Sequence, residues 1–254
     1  MQSVYCIAVA GIGRDGVLPR KGNRAKSRAS VGEVERVRYK EQMRFVLVAA
    51  KQLAFAKTRL ALAERERMLL AEAMFRDVLA AALSSRRAER VAVVTSDPML
   101  LGLAREAGAI AIDEEYPRGL NAAVSLASNA LHEAGAAELC TVLSDCPMVT
   151  GRDIDEVFDA LRPGRGVVLV PSRDFSGTNI IARSPAAVIP TLFGRMSLAK
   201  HLDECRRAQV PCEIIRQTGP ALDLDLPIDL LEFVRVAGTS NTLNELARLG
   251  LAPS

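Results

Sequence analysis

From Phe45 onward the apolar positions fall into two alternating rhythms. The run FVLVAA is continuously apolar, as a strand buried on both faces is, whereas residues 60–83 place an apolar residue every three or four positions among Ala, Glu and Arg, which predicts an amphipathic helix. The order then repeats: VAVVTSD predicts a strand, LLGLAREAG a helix, AIAID a short strand, residues 120–134 a helix and LCTVLSD a strand. A helix over 152–161 stops at Pro163-Gly164, and VVLVP follows as a strand. Residues 178–182 lie too close to it for a helical crossover and predict a second strand or hairpin arm. A helix over 198–207, the strand CEIIR, the extended segment ALDLDLP and helices over 229–236 and 243–249 complete the series. Strands alternating with helices predict an α/β fold, a mostly parallel or mixed sheet with flanking helices.

The first 42 residues break this pattern. They hold no sustained period of 2 or 3.6 and are rich in Gly, Ser, Lys and Arg. Gly11, Gly13 and Gly16 have the spacing of a dinucleotide fingerprint after YCIAVA, but Pro19 and the polar run behind it offer no helix to face a pyrophosphate. The expected division is a disordered basic arm over 1–42 and one folded domain over 43–254.

Charge follows the same division. Residues 1–44 carry ten Lys or Arg against four acids, leaving 23 basic and 26 acidic residues for the remainder, so the net charge of +3 is no argument for nucleic-acid binding. With no Trp and 4% aromatics, stacking platforms for bases or sugars are not expected either. Five scattered cysteines without a CxxC pair read as reduced thiols of a cytoplasmic protein. No run of about 20 apolar residues predicts membrane insertion.

In an open α/β sheet the C-terminal strand ends form the working edge. Asp97 and Asp145 close VAVVTSD and LCTVLSD, and a lone strand-end Asp reads equally as a cap for the next turn. Asp223 and Asp225 alternate with Leu222, Leu224 and Leu226, so the two carboxylates share one face. With Asp145 they read either as oxygen ligands for Mg²⁺ or as a solvated strand edge. Lys51, Lys57 and Arg59 follow the first strand and suit either a triphosphate or an ordinary helix start. Gly177, Thr178, Asn179, Gly194 and Ser197 offer N–H and hydroxyl donors to phosphate, although turns use the same residue types. Asn121 reads as a base contact or a helix cap, and His201 as a packed histidine or a phosphate contact. His132 reads as a surface residue. Cys146 is not nominated as a nucleophile, since adjacency to Asp145 does not activate a thiol.

Taken in order, VLVAAKQLAFAKTRLA, VAVVTSDP, DEEYPRGLNAAV, VLSDCPMV, SGTNIIARSP, LFGRMSLAKHLDE and PALDLDLPIDL make residues 44–236 resemble the guanylyltransferases of coenzyme F420 biosynthesis. The resemblance implies a nucleotide-diphospho-sugar transferase-like, Rossmann-like domain. It implies transfer of GMP from GTP to a phosphorylated three-carbon acid (2-phospho-L-lactate, phosphoenolpyruvate or 3-phospho-D-glycerate) with release of pyrophosphate. It further implies that Lys51, Lys57, Arg59 and Asp145 are catalytic, that Asp145, Asp223 and Asp225 hold Mg²⁺, that residues 119–121, Asn121 included, read the nucleotide, that Thr178, Gly194 and Ser197 place the acid, and that Asn179 binds substrate. Ser144 and Cys146 beside Asp145, and Arg195-Met196 before Ser197, depart from the family pattern. The expected partners are these small molecules, with a homo-oligomer or a transient contact with the downstream transferase in addition. A cytidylyl- or uridylyltransferase acting on another phosphorylated metabolite, or an inactive nucleotide-binding scaffold, are the competing readings.

Overall fold

Seven strands hydrogen-bond in the order β3-β2-β1-β4-β6-β5-β7. In the computed structural model, which describes residues 43–253, they are β1 (Met43–Ala49), β2 (Arg90–Thr95), β3 (Ile110–Asp113), β4 (Ala136–Leu143), β5 (Gly166–Pro171), β6 (Thr178–Ser184) and β7 (Cys212–Ile214). The expected arm over 1–42 and its glycine spacing lie outside the described residues. Strands β3, β2, β1 and β4 are mutually parallel, β6 is antiparallel to both β4 and β5, and β5 is parallel to β7. Strand β6 therefore runs against the other six, as the short β5–β6 separation foretold.

The helices are α1 (Glu64–Ser84), α2 (Pro98–Glu106), α3 (Leu120–Glu133), α4 (Gly151–Ala160), α5 (Ser197–Ala208), α6 (Pro227–Val236) and α7 (Asn241–Arg248). Strand β1 shows why both sheet faces must be covered. Its Val46 and Val48 join one buried cluster with α1, α4, α6 and α7, while Phe45, Leu47 and Ala49 join another with α3 and α5. Fully burying each such side chain contributes roughly 1.5–3 kcal/mol, so a polar residue on either face of β1 would be costly.

Side-chain caps explain several helix starts. Thr150 and Asp153 cap each other at the start of α4, and Asp97 accepts from Met99 N and Leu100 N ahead of Pro98 in α2. Helix α7 is pinned through its first residues, because the Asp77 carboxylate on α1 accepts from Asn241 N, Thr242 N and Thr242 Oγ1.

Three expectations shift. The first helix starts at Glu64 rather than at residue 60, since Glu66 reaches back to Ala63 N at 2.8 Å and the chain before it turns. Strand β4 ends at Leu143, which leaves Asp145 in the turn beyond it. ALDLDLP is extended but not a sheet strand. Leu222 and Leu224 are buried, whereas Leu226 is 46% exposed because Pro227 begins α6 there. Among the described residues no helix is long and apolar enough to cross a membrane.

Candidate active site

A cleft of about 640 Å³ opens along the sheet edge formed by the C-terminal ends of β1 and β4 and the N-terminal start of β6. The reversed direction of β6 brings its first residue, rather than its last, to this edge. Lys51, Lys57, Arg59, Asp145, Thr178, Asn179, Gly194, Ser197, Asp223 and Asp225 all line the cleft. Of the residues expected at the site, Asn121 lies outside this lining.

The cationic side is built on the loop after β1. A 3-10 turn, Leu53–Phe55, follows the strand, and Leu53 N donates to Asp97 Oδ2 at 2.9 Å. Asp97 is therefore both a cap for α2 and an anchor for the loop that carries the cations. Lys57 has a φ of 54°, a left-handed conformation that side chains other than Gly rarely adopt. Its ammonium lies 3.2 Å from Asp145 Oδ2 and 2.9 Å from Asp225 Oδ1, and its side chain is only 6% exposed. Burial works against the Lys57 charge, but Asp145 and Asp225 outweigh it, and the Lys57 pKa lies above its ordinary value. Arg59 adds a looser contact to Asp225 at 3.8 Å and remains largely exposed.

The acidic side divides. Burial would raise the Asp225 pKa, yet the charge and hydrogen bond of Lys57, helped by Lys51 and Arg59, hold it below its ordinary value. Asp223 behaves oppositely: burial first, then the negative charge of Asp145, pushes its pKa up, with a hydrogen bond from Asn179 only partly opposing them. Among the described residues no three acidic, His or Cys groups stand ready to hold a metal ion. Lys57 bridges Asp145 to Asp225, while Asp223 faces Asp145 without a cation of its own.

Two asparagines correct the expected roles. Asn121 gives its amide to Phe193 O at 3.1 Å and accepts from Phe193 N at 2.7 Å, so it braces the loop before α5 instead of presenting its amide to a base. Asn179 donates to Pro220 O at 2.9 Å and to Asp223 Oδ1 at 3.2 Å, so it holds the acidic segment in place rather than offering those donors to a substrate. Both partners lie far away in sequence, 72 and 44 residues for the Phe193 and Asp223 contacts, and local sequence carries no signal of either.

The opposite wall is made of donors. Gly194 has a φ of 109°, which favours glycine, and its carbonyl accepts from Ser197 N at the start of α5. Met196 precedes that helix in a left-handed conformation with φ 57°, so the Arg195-Met196 departure occupies a turn where glycine geometry persists. A Cβ at Gly177 would meet Ser172 Oγ at 2.8 Å, and Gly177 N donates to that same oxygen. Lining residues that escaped sequence reasoning as site residues include Ser172, Arg173, Asp174 and Ser176 in the β5–β6 turn. The Ser172 hydroxyl and then Ser176 hold the Asp174 pKa down at about 2, which keeps it anionic. Arg173 is tied to Asp229 and Glu232 of α6.

Cys146 is fully buried, and burial together with the Asp145 charge pushes its thiol well above the ordinary value, so it is inert as a nucleophile. His201 is also fully buried and does not reach the cleft itself.

A family model, "Guanylyl transferase CofC like", matches residues 43–253. A phosphoenolpyruvate guanylyltransferase of Sphaerobacter thermophilus is 37% identical over 155 residues, 61% of this chain and 74% of its own length. A 3-phospho-D-glycerate guanylyltransferase of Phenylobacterium zucineum is 36% identical over 160 residues, 63% and 72% respectively. Among solved structures, a Desulfovibrio desulfuricans protein described as a nucleotide-diphospho-sugar transferase superposes with a TM-score of 0.67 at 16% identity, covering 82% of this chain and 95% of that one. At that identity the likeness concerns the fold. The family match spans the whole described body and takes in the cation loop, the acidic segment and the β6–α5 wall, and the chain belongs to the CofC-like guanylyl transferases, a family of nucleotidyltransferases.

Proposed function

We propose that residues 43–254 transfer GMP from GTP to a phosphorylated three-carbon acid, releasing pyrophosphate, as a step of coenzyme F420 biosynthesis. The observation that carries this reading is the cleft in which a cationic loop, an acidic segment and a wall of hydroxyl and N–H donors face one another. A phosphate oxygen of the acid attacks the α-phosphorus of GTP, the bond from that phosphorus to the bridging oxygen of the β-phosphate breaks, and pyrophosphate leaves with the electron pair. The attacking oxygen is already anionic, so no side chain needs to remove a proton. Lys51, Lys57 and Arg59 stabilise the negative charge that gathers on the leaving phosphates, and the raised pKa of Lys57 keeps its Nζ protonated at neutral pH. Thr178, Gly194 and Ser197 hold the acid against the donors of the β6–α5 wall.

The donor chemistry of the acidic segment fits Mg²⁺. All candidate ligands are carboxylate oxygens, and Asp223 faces the like charge of Asp145 with no ion pair of its own among the described residues. Asp145 and Asp223 would hold the ion, with Asp225 joining them once its contact with Lys57 is released, and the ion would supply charge neutralisation for the transferring phosphate. The described cysteines Cys140, Cys146, Cys205 and Cys212 are free thiols and suit a reducing compartment, and we place the reaction in the cytoplasm.

Pyrophosphate release decides the matter. GTP, CTP, UTP and ATP are each offered with 2-phospho-L-lactate, phosphoenolpyruvate and 3-phospho-D-glycerate in the presence of Mg²⁺. Turnover with GTP and one of the three acids is the expected result. Equal kcat/KM for GTP and CTP defeats the guanine assignment, and no turnover in any combination leaves a nucleotide-binding scaffold.

A further inference from the structure

His201 sits on α5 with none of its surface exposed, yet it touches a residue that lines the cleft. Its Nε2 lies 2.8 Å from the backbone nitrogen of Leu192. A peptide N–H can only donate, so Nε2 must be the unprotonated, accepting nitrogen of the ring. The one proton of a neutral imidazole is then on Nδ1, which lies 3.0 Å from Thr178 Oγ1. Nδ1–H therefore donates to the threonine hydroxyl and occupies one of its lone pairs. Thr178 has a single hydroxyl proton, and the geometry at His201 removes the imidazole as its recipient. Among the described residues no other side-chain partner takes that proton, and Thr178 lines the cleft.

The ring has little freedom to do otherwise. Phe193 packs edge-on against it, with ring centres 5.5 Å apart and planes at 81°. Asn121 bonds both the backbone carbonyl and the backbone N–H of Phe193, and Arg183, itself buried, ties Ile189 O at 3.1 Å to Ser128 Oγ at 2.8 Å. Burial, with the charges of Arg183 and Lys200, lowers the His201 pKa to about 4, so the ring is neutral at physiological pH. A neutral ring with a fixed tautomer gives the same answer at every turnover about which way the threonine proton points.

We infer that His201 is a positioning residue that orients the Thr178 hydroxyl as a hydrogen-bond donor toward the anionic acid in the cleft. This rests on the proposed placement of the acid at the Thr178 wall. The residue acts through Thr178 and touches no reacting atom.

The test uses the full chain and three readouts. First, ¹⁵N resonances of the His201 ring at pH 7 are expected to show protonated Nδ1 and bare Nε2; the reverse tautomer overturns the inference without any variant. Second, H201L is expected to raise KM for the acid about tenfold and leave KM for GTP within about twofold. H201N places an amide nitrogen near the position of Nδ1 and is expected to recover part of that loss, which a merely space-filling role would not predict. Third, T178V is expected to raise KM for the acid by a similar factor, and T178V/H201L to be no worse than T178V alone. If T178V leaves KM for the acid unchanged, the placement of the acid fails and the inference fails with it. If T178V raises it while folded H201L does not, the inference about His201 alone is overturned. Should H201L not fold, the tautomer still decides.

Discussion

Replacing Lys57 with Met removes one charge while keeping most of the side chain's length. The left-handed backbone at this position disfavours both residues alike, so its strain cancels in the comparison. The Lys57 ammonium makes two contacts, at 3.2 and 2.9 Å. At an effective dielectric of about 20 each is worth roughly 5 kcal/mol, against a desolvation cost of several kcal/mol for the ammonium. Asp145 and Asp225 are 27% and 41% exposed, so water takes over part of the task once Lys57 is gone. A net loss of about 2–4 kcal/mol at pH 7.5 is expected, at the lower end of what breaking a buried pair costs. Far-UV circular dichroism in a urea titration is the suitable assay, because the chain has no Trp.

The pH dependence of that loss is the sharper quantity. Without Lys57 the clustered carboxylates repel, and their pKa values in the folded variant rise above those of the unfolded chain. A carboxyl shifted upward binds protons more readily when folded, so its contribution is present at low pH and is lost as pH rises. The deficit of the variant should therefore shrink as pH falls from 7.5 toward 5. In the wild type, the lowered pKa of Asp225 makes stability fall only below the ordinary carboxylate range, outside this window. A deficit of the same size at pH 5 and pH 7.5 would show that Lys57 contributes packing and not charge, and the electrostatic account of the site would be refuted.

Two further outcomes follow from the same geometry. His201 has its pKa lowered to about 4 by burial, so the unfolded chain takes up its proton first; stability should fall by about 3 kcal/mol between pH 6.5 and 4, and urea titrations of H201N should lack that increment. Asp97→Asn removes an anionic oxygen from Leu53 N or from the α2 N-terminus, and should cost about 1–3 kcal/mol and raise KM for GTP with little change for the acid; equal changes in both KM values would refute the anchoring of the cation loop by Asp97.

Periodicity alone located the strands and helices, because their burial is local and repeats along the chain. The buried alternation of Leu222 and Leu224 even assigned Asp223 and Asp225 to one face. What periodicity could not carry is which distant groups use up one another's hydrogen bonds. Lys57 reads as one of three cations near the first strand, yet its partners are 88 and 168 residues away. Asn121 and Asn179 have the right residue type for substrate contacts, but Phe193, Pro220 and Asp223 reach their amides first. His201 reads as a packed histidine or a phosphate contact, and only the distant Leu192 N and Thr178 Oγ1 give it its partners. Residue type and spacing left Thr178, Gly194 and Ser197 open between turn and ligand roles, the family resemblance singled them out, and their meeting in one cleft depended on long-range closure.

The reversal of β6 has a further consequence for how this fold diversifies. The cation loop springs from the parallel half of the sheet, while Thr178, Gly194 and Ser197 belong to the hairpin and the segment leading into α5. The Ser172–Gly177 turn closes through its own hydrogen bonds, and the 185–196 segment is fastened by Asn121 and Arg183. Residues at the tips of these two segments can change in size or charge without altering the register of β1, β2 or β4. On the proposed function, the loop that would hold the nucleotide phosphates thus lies physically apart from the segments that would hold the acid, so that a different acid could be accommodated by local remodelling of those segments with the cation loop left intact.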